Sequence, residues 1–496
     1  MAQIDRWGRE CPERIAHRSG ERTLTYGELL AQSDSLAAWL TTEFGENRAP
    51  VAVRGHKEPE MLVAFVGAVK SGRPYVPIDI AIPEQRAERI VQTAGAALVL
   101  TPERVAEICR LSVPDSGMAP RQPFETNGLQ PRPQPDDPFY ILFTSGSTGE
   151  PKGVIITHAN LSAFVQWMRG EQRFGEGETF LNQAPFSFDL SVMDLYLSLV
   201  TGSTLFSITK DEIANLKLLY AALARSGVTT WVSTPSFAQM CLIERTFAEA
   251  MIPTLQRFLF CGETLAPETA SQLLDRFPRA EVWNTYGPTE ATVATTSVRV
   301  DRALIEKWSP LPVGYEMPGT RVCILDENRQ PVSAGERGEI VIAGPNVSPG
   351  YLGREDLTSR AFYDTAGARA YRTGDWGRER DGLIFFEGRM DSQVKVNGYR
   401  IELGDLEANL RALPEIADAV VLPVERAGRT ESLAAFVVLA GKCSGSDFEV
   451  SAHLKTRLAE RLPAYMLPRR FHFLDAFPMT ANGKADRRAL AERLGA

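Results

Sequence analysis

Polar and apolar positions in the first three hundred residues follow two periods. Short β-branched and aromatic runs at Pro50 to Val53, Tyr75 to Ile78 and Ala97 to Leu100 read as strands, while helical spacing marks Tyr26 to Thr41 and Glu84 to Ala94. Strands alternating with helices predict α/β winding. A proline-rich stretch from Pro114 to Pro138 reads as a surface crossing within the same domain. After Pro310 the runs shorten, and Arg321 to Leu325 and Gly338 to Ala343, set off by turn residues, predict a small β-rich subdomain. From Asp391 onward a hairpin (Ser392 to Ile401), a helix (Leu403 to Leu413), two strands (Ala417 to Pro423, Leu433 to Leu439), a helix (Phe448 to Arg461) and a polar tail predict a smaller α+β domain. The expected fold class is therefore α/β: a large N-terminal domain over 1–390, made of α/β subdomains and a β-rich subdomain, followed by a small C-terminal domain over 391–496.

A chain of 496 residues exceeds a single core, which agrees with two or more packed units. With 44% apolar and 23% charged residues, a net charge of −8 and no basic tract, it reads as an ordinary soluble protein without a nucleic-acid partner. Cys11, Cys109, Cys241, Cys261, Cys323 and Cys443 lie far apart with no C-x-x-C pair, and the histidines form no cluster with them, so neither a disulfide framework nor a zinc site is expected. The amino terminus lacks an apolar signal core, and the run Met61 to Val69 is too short to span a bilayer. A cytoplasmic protein without membrane insertion is expected.

The segment Thr144-Ser-Gly-Ser-Thr-Gly-Glu-Pro-Lys-Gly153 joins the apolar run Phe139 to Phe143 to Val154 to Ile156, and so reads as strand, loop, strand. Gly146, Gly149 and Gly153 permit tight backbone approach, and Thr144, Ser145, Ser147 and Thr148 offer hydroxyl and amide donors to an anion. Lys152 does not match the Walker A spacing, because Gly153 follows it and only Glu150 and Pro151 separate it from Gly149. A flexible linker is the alternative, but linkers rarely carry so ordered a Gly, Pro and Lys pattern between two β-branched runs.

Further segments follow in order: Asn284-Thr-Tyr-Gly-Pro-Thr-Glu-Ala-Thr292, Tyr371-Arg-Thr-Gly-Asp375, Gly388-Arg-Met-Asp-Ser-Gln-Val-Lys-Val-Asn-Gly-Tyr-Arg400 and Pro478-Met-Thr-Ala-Asn-Gly-Lys-Ala-Asp-Arg487. Taken singly, the first, third and fourth read as a turn with a helix cap, a charged hairpin and a solvated loop lysine. Together with the glycine loop, the set resembles the adenylate-forming enzymes, which activate a carboxylate with ATP, and the likeness covers almost the full length. The resemblance implies an ATP site from Thr144, Ser145, Gly146, Ser147, Thr148, Gly149, Lys152, Asn284, Thr285, Tyr286, Gly287, Thr289, Asp375, Arg389 and Lys484. It implies Tyr286 beside adenine, Thr289 at the α-phosphate, Glu290 on Mg2+, and Asp375 on the ribose hydroxyls, which suits an acceptor-only carboxylate. Lys484, with Glu290 and Thr144, would be catalytic, its ammonium meeting charge that builds on the α-phosphorus. Asp391 would be the hinge about which the family rotates its small domain between steps.

In Asn182-Gln-Ala-Pro-Phe-Ser-Phe-Asp-Leu-Ser-Val-Met-Asp-Leu-Tyr196, Asp189 sits in an apolar run where an unpaired charge is costly, so it needs either a cation or a helix N-terminus to cap. In the amino-acid-activating branch of the family, an Asp here holds the substrate ammonium. The wording of this segment, of Trp231-Val-Ser-Thr-Pro-Ser-Phe237, Phe258-Leu-Phe-Cys-Gly-Glu263 and Pro463-Ala-Tyr-Met-Leu-Pro468 is similar to the ligase branch that loads D-alanine onto carrier proteins. That likeness implies a pocket of Asp189, Leu190, Met193, Ser233, Leu259, Cys261, Thr285, Val293 and Ala294, with Cys261 beside the substrate methyl. Read alone, a buried cysteine is a small core hydrophobe. The family's outcome would be D-alanylation of teichoic acid. No cysteine has a nucleophile context and few residues follow Lys484, so the acceptor thiol is expected on the phosphopantetheine of a separate carrier protein in trans. Asp34-Ser35-Leu36 superficially matches a carrier attachment site, but it lies in a helical pattern without the preceding glycines. The alternative within this class is a stand-alone adenylation enzyme for L-alanine, glycine or serine in a nonribosomal peptide pathway.

Overall fold

The computed structural model describes residues 1–111, 133–146, 149–365, 367–396, 398–426, 429–441, 445–479 and 485–494. The stretch from Pro114 to Gln130, Cys443, Ser147, Thr148 and Lys484 lie outside the described residues. The chain forms two units. One comprises Met1–Asp79, Thr93–Leu142 and Gly153–Gly388; the other comprises Ile80–Gln92, Phe143–Lys152 and Arg389–Ala496. The second unit thus gathers two segments from the N-terminal part of the chain, one of them the glycine loop.

Among the described residues, the first unit holds strands of three sheets. Its nine-stranded sheet runs in the order Tyr315–Glu316, Thr296–Val300, Glu281–Tyr286, Arg257–Phe260, Thr230–Ser233, Thr179–Asn182, Thr204–Ser207, Ile15–Ser19, Arg22–Thr25. The strands from Glu281–Tyr286 across to Ile15–Ser19 are parallel, and the central Thr230–Ser233 and Arg257–Phe260 are buried on both faces, as strands covered by helices require. A six-stranded sheet contains Val51–Gly55, Tyr75–Asp79 and Leu98–Leu100 in parallel. Arg321–Leu325 and Gly338–Ala343 pair antiparallel in a five-stranded sheet, which is the β-rich subdomain.

Local chemistry sets the elements. Thr25 and Glu28 form a reciprocal capping box that starts the helix Tyr26–Phe44, and Gly45, at φ +54°, follows its end. Asp34-Ser35-Leu36 lies inside this helix, with Leu36 in the core and Asp34 paired with Lys70 at 2.6 Å. The run Met61 to Val69 is the middle of a helix, Pro59–Lys70, buried along its whole length. No described helix is long and apolar enough to cross a membrane.

In the second unit, Gln393–Val396 and Tyr399–Glu402 form a hairpin that leads into the helix Leu403–Arg411. Leu406 and Leu410 of that helix are fully buried in one core with Ala419, Ala435, Val437, Leu454 and Leu458. The polar tail expected at the end of the chain is not a tail. Arg470–Phe473 is a third strand, parallel to Arg429–Leu439, and Arg487–Glu492 is a helix started by the Asp486 side chain. The strand's alternation, Arg470-Phe-His-Phe473, is only four residues long and stands among polar and turn residues, too short to mark a strand until the parallel neighbour pairs with it.

Candidate functional site

Four adjacent parallel strands of the nine-stranded sheet end at the same edge: Thr179–Asn182, Thr230–Ser233, Arg257–Phe260 and Glu281–Tyr286. In open α/β sheets, ligands bind beyond the carboxyl ends of strands, because the loops there are free to carry side chains without disturbing the sheet. The proposed substrate residues follow these ends. Asp189 precedes the helix Leu190–Val200, Ser233 and Leu259 lie in the last turns of their strands, Cys261 follows its strand, and Thr289 and Glu290 open the short 3₁₀ turn after Tyr286.

Asp189 takes the N-cap position of its helix, yet its side chain does not cap it. Instead Asp189 Oδ2 accepts a hydrogen bond of 2.6 Å from Thr289 Oγ1. The carboxylate is therefore oriented across the strand ends and only partly covered, a disposition suited to a small cation. Leu190, Met193, Leu259, Cys261, Val293 and Ala294 share one apolar cluster. The Ser233 hydroxyl is committed to protein, accepting from Trp231 Nε1 at 2.7 Å and donating to the Thr234 carbonyl at 2.9 Å. The Thr285 hydroxyl donates to the Phe260 carbonyl at 2.8 Å.

The loop after Glu290 is strained. Thr292 and Val293 have φ of +56° and +69°, a region that a β-branched residue occupies only when its surroundings force it. The force comes from Asn346, whose side-chain amide donates to the Ala291 carbonyl at 2.8 Å and to Thr295 Oγ1 at 2.9 Å, and whose main-chain carbonyl accepts from Thr292 Oγ1 at 2.7 Å. Cys261 Sγ lies 3.5 Å from the Val293 carbonyl oxygen. Gly287 is required here, since a Cβ would stand 2.6 Å from Ala294 Cα.

Tyr286 and Asp375 meet: the phenol donates to Asp375 Oδ2 at 2.5 Å, and both side chains are buried. The Tyr286 ring lies 6.0 Å from that of Phe386. Asn284 is turned away, its amide donating to the Pro312 carbonyl at 2.8 Å. Glu290 is fully buried and accepts from the Tyr351 hydroxyl at 2.7 Å. A single carboxylate suits a hard cation that keeps water and phosphate oxygens as its other ligands. Among the described residues no group of three or more His, Cys, Asp or Glu could hold a metal ion by itself.

The glycine loop belongs to the second unit. Gly146 is required because a Cβ would lie 2.1 Å from the Glu150 carbonyl oxygen, and Gly149 has φ +88°. Thr144 Oγ1 is buried with no hydrogen-bond partner among the described residues, whereas Ser145 Oγ donates to the Arg400 carbonyl at 2.9 Å and accepts from Glu402 N at 3.0 Å. The Ser145 hydroxyl, read from sequence as a donor to an anion, is thus engaged by the strand Tyr399–Glu402. Burial pushes the Glu402 carboxyl up, and the charges of Lys152 and Arg400 oppose the shift. Arg389 forms a bidentate pair with Asp391, at 3.0 and 2.6 Å. Burial raises the Asp391 carboxyl, but the Arg389 hydrogen bonds and charge outweigh it, leaving the group below its ordinary range.

The AMP-binding enzyme model matches residues 4–352, and the AMP-binding enzyme C-terminal domain model matches residues 405–484. The chain belongs to the AMP-binding enzyme family. Its relatives include D-alanine--D-alanyl carrier protein ligases of Bacillus cytotoxicus and Bacillus anthracis, each 44% identical over 100% of this chain and 99% of the relative. Among solved structures, the Vibrio cholerae adenylation domain AlmE superposes with a TM-score of 0.83 at 21% identity, covering 100% of this chain and 97% of that one. An NRPS protein containing adenylation and PCP domains superposes with a TM-score of 0.80 at 27% identity, covering 99% of this chain and 84% of that one.

Asn346 and Tyr351 of this AMP-binding enzyme are among the residues that escaped the sequence reading. Asn346 lies between Pro345 and Val347, and Tyr351 follows Gly350, with no periodicity to single them out. Only the fold brings Asn346 to the strained loop and Tyr351 to Glu290.

Proposed function

We propose that this AMP-binding enzyme activates D-alanine with ATP and passes the D-alanyl group to the phosphopantetheine thiol of a separate carrier protein in the cytoplasm. The observation that carries the reading is the full-length 44% identity to relatives that bear the D-alanine--D-alanyl carrier protein ligase name. The partly covered carboxylate of Asp189, bonded to Thr289 and followed in the chain by the buried core residues Leu190 and Met193, supports it.

A carboxylate is a poor electrophile, so activation precedes transfer. The alanine carboxylate oxygen attacks the α-phosphorus of ATP, the bond to the bridging oxygen breaks, and pyrophosphate leaves. In the resulting mixed anhydride the thiol sulfur attacks the acyl carbon, AMP departs, and the thiol proton goes to solvent. Asp189, held by Thr289, would receive the substrate ammonium. Cys261 and Val293 would bound the methyl group. Asp375 would accept the ribose hydroxyls and Tyr286 would lie against adenine. The glycine loop, with the buried Thr144 hydroxyl, would meet the phosphates, and Lys484 would offset charge at the α-phosphorus. Mg2+, held at Glu290, would supply charge neutralisation for the phosphate oxygens.

The test is direct. The purified enzyme is given ATP, D-alanine and a holo carrier protein of a D-alanylation system, and the carrier is weighed by mass spectrometry. The carrier should gain one alanyl residue, labile to hydroxylamine, and the gain should vanish with apo carrier. Formation of alanyl-AMP with no gain on any holo carrier would contradict the transfer half of the proposal.

A further inference from the structure

The segment that carries Asp189 is held from beneath by charged and polar side chains that play no part in the proposed chemistry. Lys57, 2% exposed, lies in the loop after the strand Val51–Gly55. Its ammonium donates to the carbonyls of Asn182 at 3.1 Å, Gln183 at 2.7 Å and Ile208 at 2.8 Å. An ammonium has three donors, and all three are used. The Asn182 amide then ties the start of the segment to its end, donating to the Ala184 carbonyl at 3.0 Å and to both Asp194 oxygens at 3.2 and 3.3 Å. Asn182 Oδ1 accepts from Ser207 Oγ at 2.8 Å, and Ser207 lies 2.9 Å from His17 Nε2. Because the Ser207 proton is spent on Asn182, His17 Nε2 must be the donor to Ser207. His17, Asn182, Asp194 and Ser207 are all fully buried.

A buried ammonium and carboxylate in one network carry a desolvation penalty, and apolar side chains of similar volume would pack as well or better. A connected polar network does fix one arrangement of the backbone it binds, and in this one His17 Nδ1 is the atom left without a partner among the described residues. Here that backbone is the turn between Asn182 and the helix Leu190–Val200, with Asp189 at its far end and Thr289 waiting across the strand edge. We propose that Lys57 and Asp194 are positioning residues for amino-acid recognition: through Asn182 they clamp the 182–190 segment so that the Asp189 carboxylate stands where the substrate ammonium binds. The inference rests on the assignment of Asp189 to the ammonium.

The test uses Lys57→Met with Asp194→Asn in one chain, which removes both charges together and leaves no lone buried ion. ATP–pyrophosphate exchange is measured against D-alanine at saturating ATP and against ATP at saturating D-alanine, with the melting temperature alongside. The clamp predicts a D-alanine KM raised about tenfold or more, because small misplacement of a recognition group is costly, with the ATP KM within about twofold and kcat little changed. Equal rises in both KM values, or an unchanged D-alanine KM in the folded double variant, would overturn the inference. Should that chain fail to fold, Ser207→Ala removes one link and predicts the same KM split at about threefold; no split there overturns it equally. Asp189→Asn run in parallel separates the two assignments. A raised D-alanine KM there, with none in the clamp variants, defeats the clamp alone. No effect of Asp189→Asn defeats the ammonium assignment and the clamp with it.

Discussion

Thr289 Oγ1 and Asp189 Oδ2, one hundred residues apart in the chain, stand 2.6 Å from each other. The bond orients a carboxylate at the carboxyl edge of the nine-stranded sheet and leaves its helix-capping role unfilled. Thr289→Val keeps the shape and removes the donor. A hydrogen bond to a charged group is worth about 1.5–3 kcal/mol, so the D-alanine KM should rise roughly ten- to hundredfold, while Thr289→Ser should stay within about threefold. Steady-state exchange kinetics check this; equal effects of the two variants would mean the hydroxyl is not what matters.

The Cys261 thiol, buried against the Val293 carbonyl, is expected to limit the size of the substrate side chain. Cys261→Ala should narrow the preference for D-alanine over D-2-aminobutyrate by about five- to tenfold in kcat/KM, since one methylene in an apolar pocket is worth about 1–3 kcal/mol. Competition between the two acids in the exchange assay reads the ratio. An unchanged ratio would place the methyl group elsewhere.

Asn346 holds Thr292 and Val293 at positive φ with hydrogen bonds to three residues. Asn346→Ala keeps the main-chain bond from Thr292 but strands the buried Ala291 carbonyl and the buried Thr295 and Thr320 hydroxyls, and should destabilise the fold by about 2–4 kcal/mol. Urea unfolding measures the loss, and exchange activity should fall further than the folded fraction. A variant as stable and active as the parent would show that the loop needs no latch.

How much of this was legible in the sequence depends on what held each element. Glu84–Ala94, Arg321–Leu325 and Gly338–Ala343 were readable because their periodicity is unbroken and turn residues bound them. Arg470–Phe473 was not, because a four-residue alternation among polar neighbours is too short to stand out. The glycine loop and the Asp375 segment were singled out through ordered motifs, and the roles proposed for them rest on those motifs. Asn346 and Tyr351 were not, since a lone polar residue in a loop looks solvated until the fold buries it. The same holds for Lys57 and Asp194, which composition places on the surface and the structure places in the core.

His17 gives the enzyme an acid limb. Burial, then the charges of Lys57 and Arg22, push its pKa down to about 3, from an ordinary 6.5. Below pH 6.5 the unfolded chain takes up a proton that the folded chain refuses, so stability is whole above that pH and declines as pH falls toward 3. At pH 5 the loss from this group alone is about 2 kcal/mol. His17→Gln should flatten the decline between pH 7 and pH 5 in thermal unfolding, whatever its effect at pH 7. A variant with the parent's slope would assign the acid limb to other groups.

The central claim is activation of D-alanine, and ATP–pyrophosphate exchange with D-alanine, L-alanine, glycine and serine tests it most directly. D-alanine should drive exchange severalfold faster than each of the others at equal concentration. Faster exchange with L-alanine, glycine or serine would contradict the account and leave an adenylating enzyme for a different small amino acid.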